Sequence, residues 1–256
     1  MATYSKRGHK VPKSKAEKDE LSNVSEKNST TAEVFSTLDS GATKIETWVL
    51  KNQKIVYGTV AGIVIIVGVF FANKKFIVEP KQNQAVEQMY QAQQHFSQAI
   101  NEDKANDSLY NLALNGEGGK MGFLQIIENY KGTDAANLSH YYAGISYLNL
   151  HKYKEAITHL EKFKSNDQIV QPLAIGAIGD AFAQNKQLEE ALEYYQKAFS
   201  AKTNDLTTPR FLFKAGQVAL SLGKKQTAHN CFLRIQNEFA TSNEAQNIDE
   251  YIVLSQ

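Results

Sequence analysis

The alternation of apolar and polar positions divides the chain into four stretches. Residues 1–31 carry almost no apolar side chains, so they cannot bury a core and are expected to form a disordered basic tail. Over 32–54 apolar positions return at helical spacing: Val34, Phe35 and Leu38, then Ile45, Trp48 and Val49. The Ser40–Gly41 break splits this juxtamembrane segment into two short amphipathic pieces, either lying in a membrane interface or packing on a membrane partner. Residues 55–72, IVYGTVAGIVIIVGVFFA, are eighteen residues without a charge. At roughly 1.5 Å per residue such a helix spans about 27 Å, close to the hydrocarbon core of a bilayer. Trp48 and Tyr57 stand where aromatic belts form, and Lys54 and Lys74 bracket the run. The pattern predicts one transmembrane helix. The charged lead is too long for a signal-peptide n-region, and no small-residue cleavage site follows.

Beyond this span everything reads as helix. Residues 82–100 place Val86, Met89, Tyr90, Phe96 and Ile100 on one side with a period of about 3.6. The chain then repeats itself. Gly144, Gly179 and Gly216 recur at steps of 35 and 37 residues, and Ala156, Ala191 and Ala228 keep the same steps. Four residues after each Ala stands a large group: Leu160, Tyr195 and Phe232. A small residue in one helix and an Ala in the next let a helix pair approach closely, while the large residue fills the space beside them. Pro172 and Pro209 open the first helices of their units, where a missing N–H costs nothing. The turns LHKYKE, NKQLEE and LGKKQT are polar. A fourth, degenerate unit precedes these, because FLQIIENYKGTDAA is repeated as FLRIQNEFATSNEA 109 residues later.

A period near 34 residues with helix–turn–helix units is that of the tetratricopeptide repeat. The fold expected is therefore all-α: a tetratricopeptide-repeat helical solenoid over 82–256, preceded by one transmembrane helix and a disordered N-terminal tail. Clear units are expected near 137–168, 172–203 and 209–240. The chain departs from the repeat's usual pattern at His140, Ile175 and Leu212, where an aromatic is common, and at Gln168, Thr203 and Ala240, where Pro often ends a unit.

Composition narrows the function. The net charge is +1, but the residues after the span are mildly acidic and lack the basic stripe that nucleic-acid binding needs. Cys231 is the single cysteine, so no intramolecular disulfide or Cys-rich metal site forms, and it reads as a small buried hydrophobe. His151 falls in a turn and His159 on an exposed-looking helical face, with no ligand at i+4. Gly116–Lys120 lacks the Gly-Lys-Ser/Thr ending of a phosphate loop and reads as a turn into a helix starting near Met121. No catalytic serine motif occurs. Neither an enzyme nor a cofactor or metal site is expected.

In solenoids of this kind the first helix of each unit lines the concave face. Tyr141, Ile145, Gly176, Asp180, Phe213 and Gln217 occupy the corresponding positions. Of these, Tyr141, Ile145, Asp180, Phe213 and Gln217 are the candidate groove residues, giving an apolar groove with one acid. The Lys/Asn pairs with which related repeats clamp a chaperone's terminal carboxylates are missing there.

Two stretches carry a more specific resemblance: WVLKNQKIVYGTVAGIVIIVG around the span and GFLQIIENYKGTDAANLSHYYAGISYLNLHKYKEAITHLEKF, with its junction YKGTDAANLSHYYAG. Over roughly residues 45–256 the chain resembles the ancillary subunit of the bacterial Sec translocon, a membrane-anchored periplasmic repeat family. The resemblance implies a non-catalytic protein in the bacterial inner membrane, N-terminus cytoplasmic and repeats periplasmic. Its partners would be the translocon, a periplasmic chaperone or exported clients. The longer basic tail departs from that family. Within about twenty residues of the span the lysines are even, Lys44, Lys51 and Lys54 before it and Lys74, Lys75 and Lys81 after it. The opposite topology, as in an organelle import receptor, and a cell-envelope assembly or regulatory adaptor share the same architecture.

Overall fold

The computed structural model describes residues 45–101 and 107–256. The expected disordered tail and residues 32–44 of the juxtamembrane segment lie outside the described residues. The chain divides into two units, Met1–Phe71 and Ala72–Gln256.

In the first unit residues 45–51 are helical and helix α1 (Gln53–Asn73) follows. None of the residues of α1 is buried, and its best window has a mean hydropathy of 2.5. By length and composition it could cross a membrane. The Thr59 hydroxyl donates back to the carbonyls of Ile55 and Val56, 3.1 and 2.8 Å away. The polar group is thereby satisfied within the helix.

A π-helical turn, Lys74–Val78, leads to α2 (Glu79–Asn101). The second unit continues with α3 (Asp107–Asn115), a two-stranded hairpin β1 (Gly116–Glu117) and β2 (Lys120–Met121), and α4 (Phe123–Asn129). Three helix pairs follow: α5 (Asp134–Asn149) with α6 (Tyr153–Lys162), α7 (Val170–Gln184) with α8 (Leu188–Ala201), and α9 (Thr207–Ser221) with α10 (Lys225–Glu238). A 3-10 turn, Asn243–Ala245, and α11 (Ile248–Leu254) close the chain. Each helix from α5 to α10 packs on the next, and the first helices of neighbouring pairs also touch. The second unit is an all-α solenoid of helical hairpins, with ten α-helices, α2 to α11, among its described residues.

The hairpin departs from the expectation of a turn into a helix near Met121. Gly118 and Gly119 both have positive φ, 57° and 77°, the backbone that a two-residue hairpin turn demands. At Gly116 an added Cβ would sit 2.1 Å from the Lys120 carbonyl oxygen, so only glycine lets the two short strands close. The hairpin replaces the first turns of the degenerate unit's second helix. That helix therefore begins only at Phe123, whose side chain is fully buried.

Within each clear pair the small and large residues interlock. A Cβ on Gly144 would lie 2.5 Å from Leu160, on Gly179 2.7 Å from Tyr195, and on Gly216 2.4 Å from Phe232. Ala156, Ala191 and Ala228 are completely buried on the facing helices. The turns share one backbone device: His151, Lys186 and Gly223 are left-handed, with φ of 58°, 60° and 72°. The next residue's N–H in each turn reaches back five positions, Lys152 to Tyr147, Gln187 to Phe182 and Lys224 to Ala219. That is the bond of a Schellman cap, repeated three times.

Three cores result. One joins α2 to α5 around Phe96, Phe123 and Ile126, with Tyr142 stacked on Phe123 at 5.1 Å. A second lies between α6 and α7. The third runs from α8 to α11 and contains Cys231, where burial pushes the thiol pKa up to about 11.

Candidate protein-binding groove

The groove positions belong to α5, α7 and α9, and the fold treats them unequally. Tyr141 is half-buried, its ring 5.4 Å from Phe163 and 5.7 Å from Tyr142. Burial and the neighbouring Tyr142 phenol raise its pKa, and the Arg210 guanidinium on α9 opposes the rise. Ile145 is half-buried where the first two cores meet. Phe213 packs edge-on against Tyr251 at 4.8 Å and Phe232 at 6.0 Å. Gln217 is exposed. Gly176 is buried, because a Cβ there would fall 1.9 Å from the Phe211 ring, so this position seals one hairpin to the next instead of facing a groove.

Asp180 is the best-anchored polar group of the set. Its Oδ1 accepts from the Tyr195 hydroxyl at 2.7 Å and from Lys214 Nζ at 2.6 Å. One carboxylate thus ties α7 to α8 and to α9, at a site where acid and ammonium are only 23% and 28% exposed. Burial, then the Asp180 charge and hydrogen bond, hold the Tyr195 phenol well above its ordinary range. Lys214 also stands over the Tyr195 ring, 5.7 Å from its centroid.

This changes the groove's electrostatics. The sequence pattern offers one free acid, whereas that acid is neutralised by Lys214, and Arg210 on the same helix as Lys214 is exposed with no carboxylate partner among the described residues. The clasp itself is thus neutral, and the exposed guanidinium of Arg210 acts on Tyr141. Arg210 and Lys214 escape a reading of the sequence because neither occupies a position defined by the small–large spacing. The signal available is the 34-residue separation of Asp180 and Lys214, one repeat apart.

The histidines also differ from expectation. His151 is exposed in its turn, but His159 is half-buried, and its Nδ1 lies 3.0 Å from Nδ1 of His140. The ring of Tyr147 covers His159 at 5.5 Å. Among the described residues no three His, Cys, Asp or Glu side chains converge as metal ligands.

No curated protein and no solved structure matches the chain. One family model does: the tetratricopeptide repeat, over residues 174–205, which take in most of α7 and all of α8 with the Gly179–Tyr195 pair at their centre. The chain thus carries a tetratricopeptide repeat, a unit that serves in general as a scaffold for protein–protein interaction.

Proposed function

We propose that the protein is a non-catalytic, membrane-anchored scaffold whose repeat domain holds a segment of a partner protein. The observation that carries this reading is an apolar helix without a buried residue, α1, in a chain that also carries a domain of stacked repeat hairpins. A helix of that composition has no place to hide its surface in water. Repeat hairpins in turn present one first helix after another along a continuous face. On that face Tyr141, Ile145 and Phe213 supply apolar contact, Asp180 with Lys214 a rigid polar clasp, and Arg210 and Gln217 exposed hydrogen-bonding groups.

The stretches around the span and the first repeat resemble the Sec translocon's ancillary subunit, so the partner is proposed to be the translocon, a periplasmic chaperone or an exported client. The tail is then cytoplasmic and the repeats periplasmic, in a bacterial inner membrane. Site-specific photocrosslinking from Gln217 and Arg210 in native membranes tests the partner. Adducts with translocon components or a periplasmic chaperone are expected, and adducts with bulk outer-membrane proteins alone would sink the assignment. The even placement of lysines around the span gives no bias of its own, and a second reading is a receptor or envelope adaptor with cytoplasmic repeats. Protease digestion of intact spheroplasts separates the two, since periplasmic repeats are cleaved and cytoplasmic ones are protected.

A further inference from the structure

A second polar site lies away from the groove candidates, where α4, the start of α5 and the end of α6 meet. A cavity of about 450 Å³ opens there between Lys131, Lys162 and Lys164, with Ile127, Asn137 and His140 in its walls. None of the three ammonium groups has a carboxylate partner among the described residues. Like charges gathered around one cavity repel, and an anionic ligand would relieve that repulsion.

The rim is held in place. Asn137 bonds Lys164 twice, donating from Nδ2 to its carbonyl at 2.7 Å and accepting its N–H on Oδ1 at 3.1 Å. On the opposite side Lys81 donates to the Lys131 carbonyl at 2.9 Å. Both backbone segments that carry the lysines are therefore clamped to neighbouring helices. The one acid of the lining, Asp134, is engaged by Gln82, whose Nε2 donates to Oδ2 at 2.6 Å.

The chemistry favours carboxylate over phosphate. Phosphate sites that select for phosphate add free backbone N–H groups or arginine forks to any lysine point charges. Here three of the first four amides of α5 are already used: Asp134 N–H donates to Gln82 Oε1, Ala136 N–H to Thr133 Oγ1 and Asn137 N–H to the Thr133 carbonyl. No arginine lines the cavity. What is left is a set of flexible point charges beside an apolar wall, which suits carboxylate side chains on a peptide. We propose that this cavity binds an acidic peptide segment of a protein partner, its carboxylates meeting Lys131, Lys162 and Lys164. The class of occupant rests on reading the domain as a protein-binding scaffold; the site itself does not.

The test uses the full-length protein in detergent micelles at low salt, with fluorescein-labelled hexaglutamate as the probe and anisotropy as the readout. Hexaglutamate is expected to bind and hexaglutamine not to. The triple substitution Lys131→Gln/Lys162→Gln/Lys164→Gln is expected to weaken binding by about tenfold or more, and the matching triple Lys→Arg variant to retain it. All three side chains are exposed, and unchanged helical circular dichroism verifies the fold. Arg210→Gln, in the groove, is expected to leave the affinity unaltered. Binding by the triple Gln variant within about twofold of the parent protein would overturn the inference. So would displacement of the peptide by inorganic phosphate at equal charge concentration, which would assign the cavity to small anions. Either outcome, with groove crosslinks intact, leaves the proposed function standing.

Discussion

His140 and His159 face each other across α5 and α6 with their Nδ1 atoms 3.0 Å apart. One ring must donate and the other accept, so the contact exists only while at least one imidazole is neutral. Burial, His159 and then Lys162 lower the pKa of His140 to about 4, and burial and Lys162 lower that of His159.

Both folded pKa values therefore lie below the unfolded value, near 6.5. The unfolded chain binds more protons between that value and about 4, so stability is present above pH 6.5 and falls as the pH drops through this window. Allowing for the partial exposure of both rings, the loss is expected to be about 1–2 kcal/mol. Urea denaturation at neutral pH and near pH 4.5 measures it. The double variant His140→Gln/His159→Gln should show a shallower decline, and an unchanged decline would place the acid sensitivity elsewhere.

Gly216 has no room for a methyl group, since Phe232 is fully buried and cannot swing away. Gly216→Ala gains about 1 kcal/mol of helix propensity and loses about 1–3 kcal/mol to overpacking. Net destabilisation is expected by denaturant titration. Adding Phe232→Leu should make the alanine less costly than it is alone, a coupling that a double-mutant cycle reads directly. Simple additivity would contradict the contact.

His151 and Lys186 hold left-handed backbone without being glycine, which costs about 1 kcal/mol at each position. Replacing either with glycine, the residue found at the equivalent Gly223, is expected to raise stability by roughly 0.5–1 kcal/mol. A lowered melting temperature in both variants would show that their side chains contribute more than their backbone strain costs.

Asp180→Ala strands two groups at once. The buried Tyr195 hydroxyl loses its acceptor and Lys214 its counter-ion. The expected cost is about 1–3 kcal/mol in thermal or chemical unfolding. Lys214→Met should cost less, because Tyr195 keeps its partner. Equal effects would mean that the ion pair, not the hydroxyl contact, holds the three helices together.

Much of the fold is legible in residue spacing alone. Gly144 with Leu160, Gly179 with Tyr195 and Gly216 with Phe232 are each sixteen residues apart, and one helix, one turn and part of the next helix leave little freedom for where the pair meets. The left-handed residue seven positions after each glycine follows the same spacing, though nothing in His151 or Lys186 announces it by residue type. The β1–β2 hairpin is not legible in this way, because GEGGK is too short to show strand periodicity and glycine pairs signal any tight turn.

The candidate site is less legible. His159 looks exposed in sequence because a helical wheel says nothing of what the preceding helix brings against it. Asp180 looks free because Lys214 belongs to the following repeat, and Gly176 looks available because Phe211 does. Helix type, repeat length and the pairing of helices inside each hairpin are written in local spacing, since those contacts join residues close along the chain. The Asp180–Lys214 clasp, the His140–His159 pair and the lysine-lined cavity arise where helices from one unit or from neighbouring units are stacked. Their geometry depends on the angle and offset between packed helices, which no single segment specifies and only the assembled tertiary structure decides.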